Sequence, residues 1–117
     1  MNILGTGIDI IEIDRIEHAI QRWGDSFLEH VFTEGEIRYA KKHHRPTQHF
    51  AVRFAAKEAV LKALGDNANV SWKDIEIKND PNGKPLCRYN NPKFKYHIHV
   101  SLSHSRNYAV ASAIITT

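Results

Sequence analysis

Sixteen residues, FAVRFAAKEAVLKALG at positions 50–65, constrain this 117-residue chain more than any other stretch. At 100° per residue, Ala51, Phe54, Ala55, Glu58, Leu61, Lys62 and Gly65 share one side of a helix, and Val52, Ala56, Ala59, Val60 and Ala63 share another. A helix that is apolar on two sides has to be enclosed by the rest of the protein. Glu58 and Lys62 then stand out, because they project from the Ala55/Leu61 stripe. A charge there is costly unless it is paired, hydrogen-bonded or bound to an ion. Two readings stay open: an ordinary i,i+4 Glu–Lys pair, worth about 0.2–0.5 kcal/mol, or two groups held for a ligand.

The flanking segments supply what could enclose such a helix. Residues 3–10 read as a strand in which Gly5 and Gly7 alternate with larger residues, a spacing that lets another backbone or a ligand come close. Without a third glycine or a following Lys-Ser/Thr, GTGID is neither a dinucleotide fingerprint nor a P-loop. A helix is expected from about Ile11, with Ile13, Ile16 and Ile20 on one face and Gly24 at its end. Residues 27–31 form a short apolar segment, and Thr33 with Glu36 makes a capping-box pattern opening a helix to about His44. The basic cluster Lys41, Lys42, His43, His44 and Arg45 reads as a solvated helix end, and Pro46 as a break before the apolar helix.

Gly65 is the expected C-cap, followed by a polar loop over residues 66–72. Residues 75–78 alternate as a strand, Asn82-Gly83 marks a hairpin turn, and residues 86–89 return. Residues 97–103 and 108–115 read as two more strands, joined by a polar loop of His104, Ser105, Arg106 and Asn107.

The balance of 42% hydrophobic and 25% charged residues is that of an ordinary globular chain, and 1–117 is expected to form one domain. No 18-residue apolar run predicts a membrane span. The apolar start lacks a basic leader and carries Asp9, Glu12 and Asp14, so a cytoplasmic protein is expected. A single cysteine, Cys87, leaves neither an internal disulfide nor a Cys-rich zinc site. The net charge of +3 and the eight histidines point toward an acidic partner or a phosphate-rich ligand, bound more tightly at mildly acidic pH. A small nucleic-acid module using Lys41, Lys42, Arg45, Trp72, Tyr89 and Tyr96 is a weaker reading, because the charges are scattered and no known motif is present.

Three places carry candidate chemistry: Asp9 at the end of the first strand, Glu58 with Lys62, and His104 with Ser105. Two separated carboxylates could hold one Mg²⁺, which keeps several waters and takes only one or two carboxylates plus substrate phosphates. A lysine one turn beyond Glu58 could then neutralise a phosphate oxygen. The plainer alternatives are that Asp9 caps the first helix and that His104 serves its turn. A Mg²⁺-dependent phosphohydrolase could be built on the same carboxylates.

The combination of GTGIDIIEIDRI, FAAKEAVLKALG, NGKP and HVSLSHSRNYAVA, in this order over essentially the whole chain, resembles the bacterial holo-(acyl carrier protein) synthase family of small 4′-phosphopantetheinyl transferases. The most specific part is G-x-D near the start paired with F-x-x-K-E-A-x-x-K-A-x-G. The resemblance implies transfer of 4′-phosphopantetheine from coenzyme A to a serine of apo-acyl carrier protein, with Mg²⁺, in support of fatty acid biosynthesis. It implies Asp9 and Glu58 as metal ligands and Lys62 on the pyrophosphate. Arg53 and His104 match positions near the coenzyme A 3′-phosphate, and Phe54, Gly65 and Ser105 match the nucleotide pocket, with Ser105 replacing a threonine of some relatives. Arg15 matches a residue that docks the carrier protein, and Arg22 and Phe27 are candidates for the same surface. The implied fold is α+β, an antiparallel β-sheet packed around a long central helix, assembled as a homotrimer with sites between subunits.

Overall fold

The computed structural model describes residues 1–65 and 69–117. The chain runs β1 (Ile3–Glu12), α1 (Ile13–Trp23), α2 (Asp25–Val31), α3 (Glu34–Lys41), α4 (Pro46–Leu64), a 3₁₀ turn (Trp72–Asp74), β2 (Ile75–Asn79), β3 (Pro85–Tyr89), β4 (His97–His104) and β5 (Tyr108–Thr116). The α+β expectation holds, with one change: the strands form two antiparallel sheets, β1-β5-β4 and β2-β3, not one.

Nineteen-residue α4 packs mainly on β1 and β5 and is buried along most of its circumference. Alternation explains the sheet. Ala109, Ala111, Ala113 and Ile115 of β5 are buried, while Ile8 and Ile10 of β1 face outward and are exposed. Small residues line the contact, so the layers approach closely. A Cβ on Gly5 would lie 2.0 Å from the carbonyl oxygen of Ala63, and one on Gly7 2.0 Å from that of Ala59. Those two glycines let β1 lie against α4, the close approach that their spacing predicts.

Several boundaries differ from expectation. β1 runs on to Glu12, so α1 starts at Ile13; residues 27–31 belong to a helix, α2. α3 begins with both bonds of the predicted capping box but ends at Lys41. Pro46 starts α4 as its first residue, since a missing N–H costs nothing there and its fixed φ suits a first turn. Of the predicted loop at 66–72, residues 66–68 lie outside the described residues, and Trp72 enters the 3₁₀ turn. Gly24 and Gly65 end α1 and α4 at φ values of 55° and 90°, as their C-cap roles require. The Asn82-Gly83 turn joins β2 to β3, with the Asp80 carboxylate accepting from the N–H groups of Asn82 and Lys84.

Candidate active site

β1 and α4 bring three charged side chains together. Lys62 Nζ lies 3.2 Å from Asp9 Oδ1 and donates to the carbonyl oxygen of Ile8 at 2.9 Å. Glu58 has no salt bridge to Lys62 among the described residues; the i,i+4 pair is replaced by a link from helix to strand. Nor does Asp9 cap α1, whose N-cap is Glu12 without a side-chain bond. Burial pushes the Glu58 carboxyl above its usual range, the negative charge of Asp9 adds to the rise, and Lys62 opposes it. Two carboxylates are thus held close enough to repel each other.

These carboxylates open onto a cavity of about 380 Å³. Arg15 of α1, Phe27 of α2 and Phe54 of α4 line it with them, over a floor that includes Ile11 and Ile16. Phe54 is held by stacking on Trp72, with centroids 5.1 Å apart and planes inclined by 24°. Phe27 packs edge-on against buried Phe32 at 6.2 Å.

The other candidates lie elsewhere. Arg22 covers the exposed Trp23 ring, its guanidinium carbon 5.1 Å from the centroid. Gly65 donates its N–H to Leu61 as a cap. Ser105 serves the last hairpin, donating its N–H to the Tyr108 carbonyl at 2.8 Å while its Oγ accepts from Tyr108 N–H at 3.3 Å. Arg53 is five residues, about 140°, from Glu58 around the helix, and turns toward α3 and β2. There its guanidinium carbon sits 4.2 Å from the Tyr39 ring centre, and its Nη2 donates to Asn79 Oδ1 at 2.6 Å. His104 belongs with this second group, close enough to act electrostatically on His49.

One charged pair escapes the sequence reading. Lys57 Nζ meets Glu36 Oε1 at 2.7 Å with both side chains fully buried. The same ammonium donates to the carbonyls of Val31, Trp72 and Ile75. Glu36 in turn accepts from the N–H groups of Thr33 and Ile77. A signal exists in hindsight: Lys57 lies in a helix with no outward side, so it needs an acid from elsewhere.

Comparison with known proteins adds identity to this geometry. The family model described as the 4′-phosphopantetheinyl transferase superfamily matches residues 5–113. The holo-(acyl-carrier-protein) synthase of Thermodesulfovibrio yellowstonii is 45% identical over 97% of this chain and 99% of its own length. That of Clostridium tetani is 48% identical over 97% of this chain and 95% of its own. Among solved structures, the Bacillus anthracis holo-(acyl-carrier-protein) synthase in complex with CoA (3′,5′-ADP) superposes with a TM-score of 0.84 at 43% identity, covering 97% of this chain and 96% of that one. The Helicobacter pylori synthase in complex with coenzyme A gives 0.85 at 33% identity, covering 95% and 99%.

Proposed function

The chain belongs to the 4′-phosphopantetheinyl transferase superfamily, and we propose that it moves 4′-phosphopantetheine from coenzyme A to a serine of apo-acyl carrier protein at the Asp9–Glu58–Lys62 site. The observation that carries this reading is that Asp9 and Glu58 line the cavity that Arg15 and Phe27 also line, while Lys62 is bonded to Asp9 beside it. The carrier serine hydroxyl attacks the β-phosphorus of coenzyme A, and adenosine 3′,5′-bisphosphate leaves. Such a transfer depends on positioning and on neutralising charge at the phosphoryl oxygens.

Lys62 is suited to that neutralisation. Its ammonium is half-exposed and bonded to groups it can exchange, Asp9 and the Ile8 carbonyl. Asp9 and Glu58 fit Mg²⁺: they are hard oxygen donors, two in number, and the charge of one disfavours ionisation of the other. When bound, the ion supplies positive charge to the pyrophosphate oxygens. Arg15 offers the cavity's cation to an acidic carrier protein, with Phe27 beside it as an apolar contact.

Two features support a homotrimer with shared sites. The outer face of β1-β5-β4 exposes Leu4, Ile8, Ile10 and Ile114, an apolar surface suited to a second copy. Arg53 and Glu58 also face different sides of α4, so one coenzyme A reaching both would bridge two chains. The whole of 1–117 acts as one transferase unit on this reading. Its single cysteine fits the reducing cytoplasm.

Incubation with coenzyme A, Mg²⁺ and apo-carrier protein, followed by weighing the carrier, tests the reaction. A gain equal to phosphopantetheine is expected, whereas coenzyme A cleavage without carrier modification would replace the transferase by a hydrolase. Mixing Asp9→Ala with His104→Ala chains tests the shared site. Each is expected to be impaired alone, with activity recovered in hybrids; no recovery would place both residues in one chain's site.

A further inference from the structure

The 3₁₀ turn Trp72–Asp74 connects α4 to β2, and such connections commonly keep some freedom. This one is pinned at several points. Ser71 and Asp74 close a capping box around it, and the Asp74 carbonyl accepts from the Asn90 N–H at 2.7 Å. The Trp72 carbonyl accepts from two donors, the Ile75 N–H and, at 2.9 Å, the ammonium of Lys57. Because Lys57 is sealed with Glu36, water cannot compete for that bond. The backbone of Trp72 is thereby tied to α4 at the residue next to Glu58 and three residues from Phe54.

From this platform the indole stacks on Phe54, with centroids 5.1 Å apart and planes inclined by 24°. Phe54 stands one turn before Glu58 on the same stripe of α4, where side chains four residues apart are neighbours. Among the described residues that line the carboxylate cavity, Phe54 is one and Trp72 is not. Both rings are only partly buried, so neither is locked by the core alone. What holds the Phe54 ring in place is therefore the indole behind it, and what holds the indole is a backbone carbonyl fixed by Lys57.

We propose, on the basis of the transferase reading above, that Trp72 is a positioning residue of the transfer site. Without lining the cavity itself, it fixes the Phe54 ring as the wall beside Asp9 and Glu58, and so sets the space in which the serine hydroxyl and the pyrophosphate meet. In-line attack tolerates little misalignment, since a displacement of about 1 Å can cost about 100-fold in rate. A phenyl ring free to swing widens that space and admits water beside Glu58. The indole acts on the rate of transfer from bound coenzyme A, and not on coenzyme A affinity, because it leaves both carboxylates, Lys62 and Arg53 untouched.

Two substitutions separate the ring from the backbone that carries it. Trp72→Leu keeps an apolar side chain and the carbonyl bonded to Lys57 but removes the stack, whereas Trp72→Phe keeps a ring. The full chain is assayed with coenzyme A, Mg²⁺ and apo-carrier protein, with melting curves to verify folding and calorimetry without carrier to read coenzyme A affinity. Trp72→Leu is expected to lower kcat about tenfold, with the Kd of coenzyme A kept within about twofold and most of the loss recovered in Trp72→Phe. In a Phe54→Leu background the same Trp72→Leu change is expected to cost under about twofold more, because the ring it acts through is already gone. A wild-type kcat in Trp72→Leu, a loss of coenzyme A affinity, no recovery in Trp72→Phe, or losses that multiply in the double variant each overturn the positioning role and leave the transferase reading intact. So does a Trp72→Leu chain unfolded at the assay temperature, which makes the indole a core residue only. Absence of carrier modification by the wild type overturns both.

Discussion

Two lysines of α4, five residues apart, each bond a carboxylate, and their surroundings are opposite. Lys57 is sealed with Glu36 at 2.7 Å, and every hydrogen of its ammonium has a fixed partner among Glu36 and three carbonyls. Lys62 meets Asp9 at 3.2 Å with its own side chain 53% exposed. The sealed pair ties α4 to α3, β2 and the 3₁₀ turn, and leaves no valence for a ligand. The open pair can be rearranged at small cost, which is what a site for a charged substrate requires. Ionic bonds of similar length thus serve different ends, and solvent access decides which.

The largest expected effect tests the sealed pair. Lys57→Met leaves the Glu36 charge buried alone and is expected to cost about 3–5 kcal/mol in urea unfolding. The double variant Glu36→Gln/Lys57→Met should recover part of that loss, and a fully additive double variant would show that the two do not act as a pair. Next, Glu58→Gln or Asp9→Ala is expected to lower turnover about 100-fold or more while the fold is kept. Near-normal rates at saturating Mg²⁺ would remove both residues from the proposed metal site.

Arg15→Glu should weaken carrier-protein binding by about tenfold through lost charge complementarity, with coenzyme A affinity unchanged. Equal losses for both ligands would undo that division. Smaller again is the stability effect of Lys62→Met, expected to stay under about 1 kcal/mol, as for exposed pairs. A loss as large as that of Lys57→Met would erase the contrast between the two lysines, whatever happened to turnover.

The smallest effects are those of pH on stability. The folded-state pKa of Glu58 is raised, so the folded protein binds more protons above pH 4.5, and the group's cost to stability appears as pH rises through that window. Glu58→Gln is therefore expected to melt at the same or a slightly higher temperature at pH 7, a stability gain at the expense of function. His49 has the opposite sense. Its pKa is held down to about 4 from 6.5, so the unfolded chain binds more protons between these values and stability falls as pH drops through them. His49→Gln should flatten that decline in melting curves recorded from pH 7 to pH 4.

What could be read in advance was local. The capping box of Thr33 and Glu36, the glycine ends of α1 and α4, the Asn82-Gly83 turn and the apolar period of residues 50–65 each depend on neighbours within a turn or two. Pro46 shows the limit of such reading, since a helix breaker and a first helical residue look alike until the start of the helix is known. Motif order across the chain was enough to recognise the family, and Asp9, Glu58 and Lys62 were legible as candidates because charges in an apolar helix or at a strand end demand an explanation.

The pairing of charges was a different matter. Glu36 and Lys57 stand 21 positions apart, and Asp9 and Lys62 stand 53 apart. No period links such positions; they meet because Gly5 and Gly7 admit α4 against β1 and because α3 and β2 pack across its other side. The sequence by itself determined most of the helices and strands, though not α2, and which family they make. Only the tertiary structure decided that Lys57 is sealed, that Lys62 stays open to solvent beside Asp9, and that Arg53 turns to the far side of the helix. Propensity and period act over a few residues, whereas burial and charge pairing are properties of packed elements.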